Sequence, residues 1–264
     1  MENETLIRLT VFLGLFAILA CAEALLPRRP RHTPRSKRWV TNWGMTLLNT
    51  ATLRTVSLVV PLLAVGAALD ASANGWGLFN VLNWPTWLEV TAAILFFDFA
   101  IWLQHLITHK VPLLWQLHQV HHADTEIDVT TAIRFHPVEI ALSMLLKIGL
   151  VYVMGPSALA IILFEIILNG TAMFNHANLR LPLPLDRVLR TFLVTPDMHR
   201  VHHSVHRYEH DSNYGFSLSI WDHMFRTYIA QPAEGHDDMK IGLRWQDERP
   251  SKLGWSLWLP FKKR

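Results

Sequence analysis

Apolar residues in this chain gather into long runs that short polar stretches separate. The first run, Leu6–Leu26, reads "LIRLTVFLGLFAILACAEALL" and has about the 20 residues that a helix needs to cross about 30 Å of hydrocarbon. A secretory signal peptide is the alternative, but here the positive charge follows the run instead of preceding it, and the run is longer than a secretory apolar core. We therefore predict a retained membrane-spanning helix.

Three further apolar segments extend this pattern. Met45–Leu69 and Trp84–His109 predict a second and a third span. Pro137–Asn175 is again apolar but is interrupted by "GPS" at Gly155–Ser157. Two arms of about 18 residues around a Gly-Pro turn predict a hairpin that enters the membrane and returns on the same side.

Basic residues predict the orientation of these spans. The loop Pro27–Trp39 carries six cations and should stay in the cytoplasm, which places the N-terminus outside. Two more crossings then return the chain to the cytoplasmic side at His105. The remainder from His176 to Arg264 has no long apolar run, and its ending "GWSLWLPFKKR" suits a membrane interface.

Together these patterns predict an all-α integral membrane helical bundle with a cytoplasmic, histidine-rich helical cap, to which the histidine spacing given below assigns metal binding. We divide the chain into N-terminal transmembrane helices with the basic loop (1–83), a catalytic region with the histidine motifs and the hairpin (84–228), and a membrane-proximal tail (229–264).

The composition agrees with a membrane protein. Hydrophobic residues make up 51% of 264 positions and charged residues 17%, below the roughly 25% of soluble domains. The single cysteine, Cys21, lies within an apolar run, so the sequence offers no disulfide framework and no cysteine-based metal site. The net charge of +3 accompanies no nucleic-acid motif, which argues against nucleic-acid binding.

The 15 histidines carry the strongest functional signal. His105 and His109 are spaced i, i+4 on one helical face and can share an ion. Two triplets, each spaced i, i+3, i+4, place three imidazoles on one helical turn; they are His118, His121 and His122, and His199, His202 and His203. Since one zinc ion needs only three or four protein ligands, eight histidines predict two metal ions. Imidazole suits iron, copper, zinc and nickel, so the ligand type leaves the metal open.

Isolated histidines need no such explanation, because a hydrogen bond or two satisfies a lone imidazole. We assign His32, His210 and His236 to this structural class.

The ordered motifs HxxxH, HxxHH and HxxHH resemble the fatty acid hydroxylase and sterol desaturase superfamily of membrane di-iron oxygenases. The similar segments are, in order, "FFDFAIWLQHLITH" from Phe96, "LLWQLHQVHHAD" from Leu113, "RFHPVE" from Arg134, "NHANL" from Asn175 and "NYGFSLSIWDHMFRTY" from Asn213. The chain departs from the family pattern at Leu106, His223 and Arg226, which could alter a substrate entrance or a donor contact.

The resemblance implies two iron ions, O2 as co-substrate, and a lipid C–H bond that becomes a hydroxyl group or a double bond. It also implies a further ligand, His176. Zinc could replace iron during preparation, since it binds nitrogen-donor sites more tightly than Fe(II).

Other residues are candidates for supporting roles. His136 precedes the helix that Pro137 starts, and we predict either a ligand or a partner of one. His206 continues the second triplet and could hydrogen-bond a ligand. Asp98 lies about two turns before His105 in an apolar run, where a carboxylate is costly, so we predict that it accepts an N–H from a ligating imidazole. Glu139, Asp197 and Asp222 are further candidates for that task.

The predicted reaction needs electrons from outside the chain. The sequence has no GxGxxG motif, no iron–sulfur cysteines and no CxxCH haem site, so a separate donor must supply them, a cytochrome b5-, ferredoxin- or reductase-like protein. Arg200, Arg207 and Arg226 could dock an acidic carrier. The lipid substrate could be an acyl chain, a sterol or another isoprenoid.

Two functions from other classes stay open at this stage. A bis-histidine membrane cytochrome would hold haem between facing helices, which predicts isolated histidines instead of triplets. A zinc hydrolase usually carries a carboxylate base in a motif such as HExxH, and this chain has no His-Glu dipeptide. A transport or structural protein that binds metal is a third alternative.

Overall fold

A computed structural model describes residues 4–60, 63–245 and 249–262. The α-helices are α1 Glu4–Leu25, α2 Arg35–Val59, α3 Ala64–Ala73, α4 Leu78–Leu82, α5 Thr86–Lys110, α6 Pro112–His122, α7 Pro137–Met154, α8 Ala158–His176, α9 Leu183–Leu189, α10 Pro196–His202, α11 Arg207–His210, α12 Ile220–Met224, α13 Gly235–Asp238 and α14 Leu253–Trp258. Single 3₁₀ turns lie at Thr131–Ile133, Arg249–Ser251 and Leu259–Phe261. Within these ranges there is no β-strand, only isolated bridges such as Pro27 with Leu179. The all-helical prediction is confirmed.

Five segments are long and apolar enough to cross a membrane, judged by length and composition: Glu4–Leu25, Arg35–Leu82, Thr86–Lys110, Pro137–Met154 and Ala158–His176. Leu58 and Val59 on α2 are 84% and 83% exposed. Large apolar side chains on the protein surface are stable in hydrocarbon, because the lipid shields them from water. The chain is therefore a multi-pass helical membrane protein. The three-part domain division stays a prediction.

The second span differs from its prediction at both ends. Its helix begins at Arg35, within the predicted loop, because Arg38 is drawn into the protein by ion pairs of 2.7 Å to Asp124 and to Asp128. It ends at Val59, and α3 begins only at Ala64, so the predicted single span is divided. The short α3 packs through Ala64, Ala67 and Ala68 against the hairpin core of Ile148, Val151, Ile161 and Phe164.

The predicted hairpin is present as α7 and α8. Gly155 ends α7 with φ +60, in the left-handed region that glycine occupies without steric cost. A Cβ atom at Gly155 would lie 2.3 Å from the Trp76 carbonyl oxygen, and one at Gly77 would lie 2.3 Å from the Gly155 nitrogen. The two glycines thus let the hairpin turn touch the loop between α3 and α4.

The basic N-terminal loop is fastened to the side of the bundle where the histidines lie. Arg28 donates its backbone N–H to the Asn178 carbonyl at 3.0 Å. Glu23, buried at the end of α1, accepts the backbone N–H groups of Asn178 at 2.7 Å and Val129 at 2.8 Å. The loop and the histidines therefore share one side of the membrane-spanning bundle.

Candidate metal centre

Four helix ends bring the histidines together. α5 ends at Lys110, and Pro112 begins α6 after a single residue, Val111. Proline is favoured in the first turn of a helix because its missing N–H would lack a partner there. The sharp reversal lets His105 and His109 on α5 meet the first triplet on α6, while the ends of α8 and α10 approach from the other side.

The structure brings all nine predicted histidines into two adjacent groups, in each of which one ligand atom per residue lies within 4.8 Å of every other. The first group, which we call group A, is His105, His109, His118, His122 and His202. The second, group B, is His121, His176, His199 and His203. All nine residues are buried.

Each triplet divides between the two groups. On α6, His118 and His122 point into group A while His121 belongs to group B. The second triplet divides the other way. His199 on α10 and His203, the residue after α10, belong to group B, whereas His202 on α10 belongs to group A. Residues four apart lie on one face of a helix, and the residue at i+3 is displaced around the axis. One turn of each helix thus serves both groups.

Backbone and carboxylate acceptors fix the orientation of the imidazoles in group A. Nδ1 of His105 lies 2.7 Å from the Tyr214 carbonyl oxygen, and Nδ1 of His118 lies 2.6 Å from Oε1 of Glu139. A carbonyl oxygen accepts only, so Nδ1 of His105 carries the proton and Nε2 presents a lone pair. Nδ1 of His118 faces a carboxylate oxygen in the same way, which favours the same tautomer. The two Nε2 atoms nevertheless face each other at 3.0 Å.

Group B repeats this arrangement. Nδ1 of His176 lies 2.7 Å from the Ala172 carbonyl oxygen and Nδ1 of His121 lies 3.2 Å from that of Arg134. Their Nε2 atoms, again lone-pair donors, are 3.0 Å apart, and Nε2 of His199 lies 3.1 Å from that of His176. Lone pairs that converge at hydrogen-bond distance with no proton between them repel one another unless a cation lies among them.

Other imidazole nitrogens have no hydrogen-bond partner among the described residues. They are both ring nitrogens of His109, His122 and His203, Nε2 of His202 and Nδ1 of His199. A buried polar atom without a partner costs on the order of 1–3 kcal/mol. So many such atoms in two compact groups fit bound metal ions, which would take the lone pairs.

Burial also keeps the imidazoles neutral. Loss of solvent, and then the neighbouring imidazoles, hold the pKa values of His122, His199 and His203 well below the usual range. The same causes lower the pKa of His121 and His202. Neutral imidazole is the form that binds metal.

A second layer of contacts holds the loop that supplies the Tyr214 carbonyl. Asp222 accepts the backbone N–H groups of Tyr214 and Gly215 at 2.9 and 2.8 Å, the indole N–H of Trp102 at 3.1 Å and the Thr227 hydroxyl at 2.7 Å. This carboxylate therefore positions His105 through the backbone. On the other side, buried Arg134 donates to the Val120 carbonyl at 2.8 Å and fixes the segment whose carbonyl meets His121.

Glu139 makes the contact that was predicted for Asp98. Asp98 accepts the indole N–H of Trp221 at 2.8 Å and the Leu218 N–H at 3.3 Å instead of an imidazole N–H. Trp221 reaches the carboxylate because α12 packs against α5. Glu139, in the first turn of α7, lies beside α6 and meets His118 directly.

His136 and His206 lie outside both groups. Nδ1 of His136 accepts the Val138 N–H at 3.2 Å and caps α7, and its Nε2 lies 3.2 Å from the Leu257 carbonyl oxygen. His206 is partly exposed and lies 3.3 Å from Glu234. Conversely, His210 was assigned a structural role, but its ring stacks on Trp115 and a ligand atom lies near those of His109 and Asp211.

Arg200 is buried, with 2% of its side chain exposed in an ion pair with Asp197. It cannot contact a redox partner, so its predicted docking role is wrong. Arg207, with 85% of its side chain exposed, and Arg226 are at the surface.

A cavity of about 370 Å³ opens onto group A at His105, His118 and Glu139. Its wall is built from α1, α2, α5, α7 and α8 together with the turn around Ile133. These helices belong to the candidate membrane spans, so the cavity lies between helices that are long and apolar enough to cross a membrane. Its size is within the range of about 300–1,000 Å³ that is usual for ligand pockets.

Comparisons with known proteins agree with this geometry. A sequence model described as fatty acid hydroxylase matches residues 90–227, just over half of the chain. The chain is 25% identical over 235 residues to the ornithine lipid hydroxylase OlsE of Rhizobium tropici, covering 88% of this chain and 70% of that protein. It is 31% identical over 163 residues to human alkylglycerol monooxygenase, covering 60% of this chain and 34% of that protein.

A third relative is methylsterol monooxygenase 2-2 of Arabidopsis thaliana, at 28% identity over 57% of this chain and 58% of that protein. The chain thus spans most of the bacterial relative and about a third of the length of the human one. No solved structure matches the chain significantly.

Proposed function

The chain belongs to the fatty acid hydroxylase family, and from this premise we propose that it is a membrane-bound di-iron oxygenase acting on a lipid. It converts an unactivated C–H bond with O2 and electrons from another protein. Hydroxylation is proposed ahead of desaturation, because the relatives are named hydroxylases and monooxygenases.

One observation carries the proposal: nine buried imidazoles converge in two groups, and Nε2 atoms of five of them face one another at 3.0–3.1 Å. We propose that group A holds one iron ion and group B the other, each with histidine ligands alone. Neutral ligands leave the full positive charge of the ions in place, which favours the binding of reduced oxygen species. Two bound iron ions would supply O2 activation.

The stoichiometry of hydroxylation defines which reactants must reach the site. Hydroxylation consumes one lipid C–H bond, one O2, two electrons and two protons, and yields an alcohol and water. The chain orients its imidazoles through Tyr214, Glu139, Arg134 and Ala172 and surrounds them with buried side chains that exclude bulk water. Exclusion of water protects an oxidising site from side reactions.

The cavity supports a lipid substrate. It extends from His105 and His118 between the candidate membrane spans, so a lipid can reach it from the bilayer without crossing water. Apolar side chains such as Phe12, Ile101 and Leu168 line part of its wall.

We propose that the histidine groups face the cytoplasm. The basic loop shares their side of the bundle through the contacts of Arg28 and Arg38, and such loops stay in the cytoplasm. There the exposed Arg207 and Arg226 would steer an acidic electron donor. Reversal of both charges should slow turnover and weaken its dependence on ionic strength; unchanged kinetics would remove these residues from the docking site.

Metal content tests the central claim. Protein purified anaerobically from iron-supplemented cells should contain about two irons per chain by mass spectrometry. The double substitution His202→Ala, His203→Ala removes one imidazole from each group and should lose most of both ions. His206→Ala is the matched control. His206 follows His202 by four residues, is partly exposed and belongs to neither group. It should retain both irons.

Lipid profiling of expressing cells then tests the reaction, with an added hydroxyl group or double bond expected only for protein with intact histidine groups. A wild-type protein prepared in this way that held no metal, or one haem, would overturn the two-iron proposal. The geometry disfavours haem, because five and four histidine ligand atoms converge in the two groups, whereas a haem iron has only two axial positions for protein ligands.

A further inference from the structure

Three charged side chains line the cavity at a distance from the histidines. They are Arg8 on α1, Lys147 on α7 and Glu165 on α8. All three lie within candidate membrane spans. Charge at such depth is costly, and charged residues in these positions usually mark a pathway or a ligand site. The proposed reaction at the histidines does not account for them.

The ion pairs within this triad leave donors free for a ligand. Nζ of Lys147 lies 2.7 Å from Oε1 of Glu165, and a guanidinium nitrogen of Arg8 bonds Oε2. Both carboxylate oxygens are thus engaged. Lysine offers three N–H donors and arginine five, of which Arg8 gives one more to Glu4 at 3.0 Å. Glu4 is not among the residues that line the cavity, and the other carboxylate of the lining, Glu139, lies beside His118, so at the triad two cations face one carboxylate.

The position of the triad suits an elongated ligand. Lys147 follows Glu139, the cavity residue that contacts His118, by eight residues on α7, about 12 Å along a helix axis. Between the two ends, the wall mixes apolar side chains such as Met144 and Leu168 with polar ones such as Gln104 and Ser143. A molecule with a charged oxygen group at one end and a hydrocarbon chain at the other matches this order of groups.

We propose that Arg8 and Lys147 bind an oxyanion of the lipid substrate, a carboxylate or a phosphate group, and so determine which carbon of the chain lies beside His105 and His118. Glu165 holds the two cations in place and neutralises one of them while the cavity is empty. The reaction at that carbon rests on the proposed function, but the binding of the oxyanion does not require metal.

Binding to the metal-free protein in a neutral detergent tests this inference. Radiolabelled dodecanoate is bound to immobilised protein and displaced by dodecyl phosphate or by 1-dodecanol, which share the chain length and differ in the polar group. We expect either anion to bind at least about tenfold more tightly than the alcohol, since a charge-assisted hydrogen bond is roughly twice as strong as a neutral one. The relative affinities of dodecyl phosphate and dodecanoate then show whether the site prefers a phosphate or a carboxylate group.

Substitutions at the triad should act in opposite directions. Lys147→Gln should weaken anion binding about tenfold and leave the alcohol unchanged. Glu165→Gln should tighten anion binding, because it removes the competing carboxylate. Arg54→Gln is the control, since Arg54 is a cation in a candidate span that does not line the cavity, and it should change nothing. Arg8→Gln gives the same readout as Lys147→Gln if the latter does not fold.

Equal displacement by the alcohol and the anions would overturn the inference, as would a Lys147→Gln protein that is folded and loses all three probes equally. These results differ from a failure of the proposed function. Selective anion binding by a protein that never oxidises a lipid would remove the oxygenase and keep this site. An active, iron-loaded enzyme with no anion preference would support the oxygenase proposal and overturn the anion site.

Discussion

At the scale of single residues, the imidazole tautomers are set by acceptors on the far side of each ring. Carbonyl oxygens of Tyr214 and Ala172 and the Glu139 carboxylate hold Nδ1 protons and direct Nε2 inward. The sequence predicted which nine histidines meet, because spacing marks eight of them and the family resemblance adds His176, which spacing alone does not mark. It did not predict Tyr214 or Ala172, since every residue has a carbonyl and its use leaves no mark in the sequence.

Glu139 offers a direct test of this orienting layer. Glu139→Ala removes the acceptor at 2.6 Å from Nδ1 of His118 and should weaken metal binding about 10–100-fold, the usual cost of losing such a partner. Glu139→Gln keeps an acceptor oxygen and should weaken it less. Competition with a chromophoric chelator measures both. Equal affinities for all three proteins would show that His118 needs no orienting partner.

At the scale of elements, the apolar runs of α1, α5 and the hairpin predicted the helix ends to within about two residues, whereas α2 begins and ends ten residues before its predicted segment. The hairpin turn at Gly155–Ser157 is also where the sequence placed it. The start of α2 was missed because Arg38 pairs with carboxylates 86 and 90 positions away. The sequence also did not predict that each histidine triplet divides between the two groups. That division depends on how α6 and α10 pack against each other, which is again a contact between distant parts of the chain.

Gly155, which follows the last residue of α7, and Gly149 within α7 make a matched pair for stability. Gly155→Ala places a Cβ 2.3 Å from the Trp76 carbonyl at φ +60 and should destabilise the protein by on the order of 1–3 kcal/mol. Gly149→Ala meets nothing within 4 Å inside the same helix and should be neutral or stabilise it by about 0.5–1 kcal/mol. Thermal unfolding in detergent compares them. A Gly155→Ala protein as stable as the wild type would mean that the two turns do not need their close contact.

At the scale of the whole molecule, helices long and apolar enough to span a membrane carry a buried cluster of histidines at one end and a cavity within the bundle. The exposed apolar side chains of α2 suit contact with lipid. Arg31 of the basic loop pairs with Glu23, and the ion pairs of Arg38 with Asp124 and Asp128 join the N-terminal helices to the histidine region. Burial of so many neutral imidazoles also couples the stability of the entire fold to pH.

The pH dependence follows from the lowered pKa values of His121, His122, His199, His202 and His203. In the unfolded chain these residues take up protons near their ordinary pKa of about 6.5. In the folded chain they do so only at lower pH, so acid favours unfolding. The metal-free protein should lose thermal stability steadily as the pH falls below about 6.5, and bound metal should oppose this loss. A midpoint that stays constant from about pH 8 to pH 5 would contradict the burial of neutral imidazoles.

The sharing of α10 between the two groups also has a consequence for biosynthesis. Group A takes His202 from this helix, and group B takes His199 and the adjoining His203. A ribosome therefore adds the last histidine of each group in adjacent codons, after the five candidate membrane spans have been translated. If the groups hold iron as proposed, neither ion has a complete set of ligands in the nascent chain until the hairpin has been made, and both sets are then completed almost simultaneously.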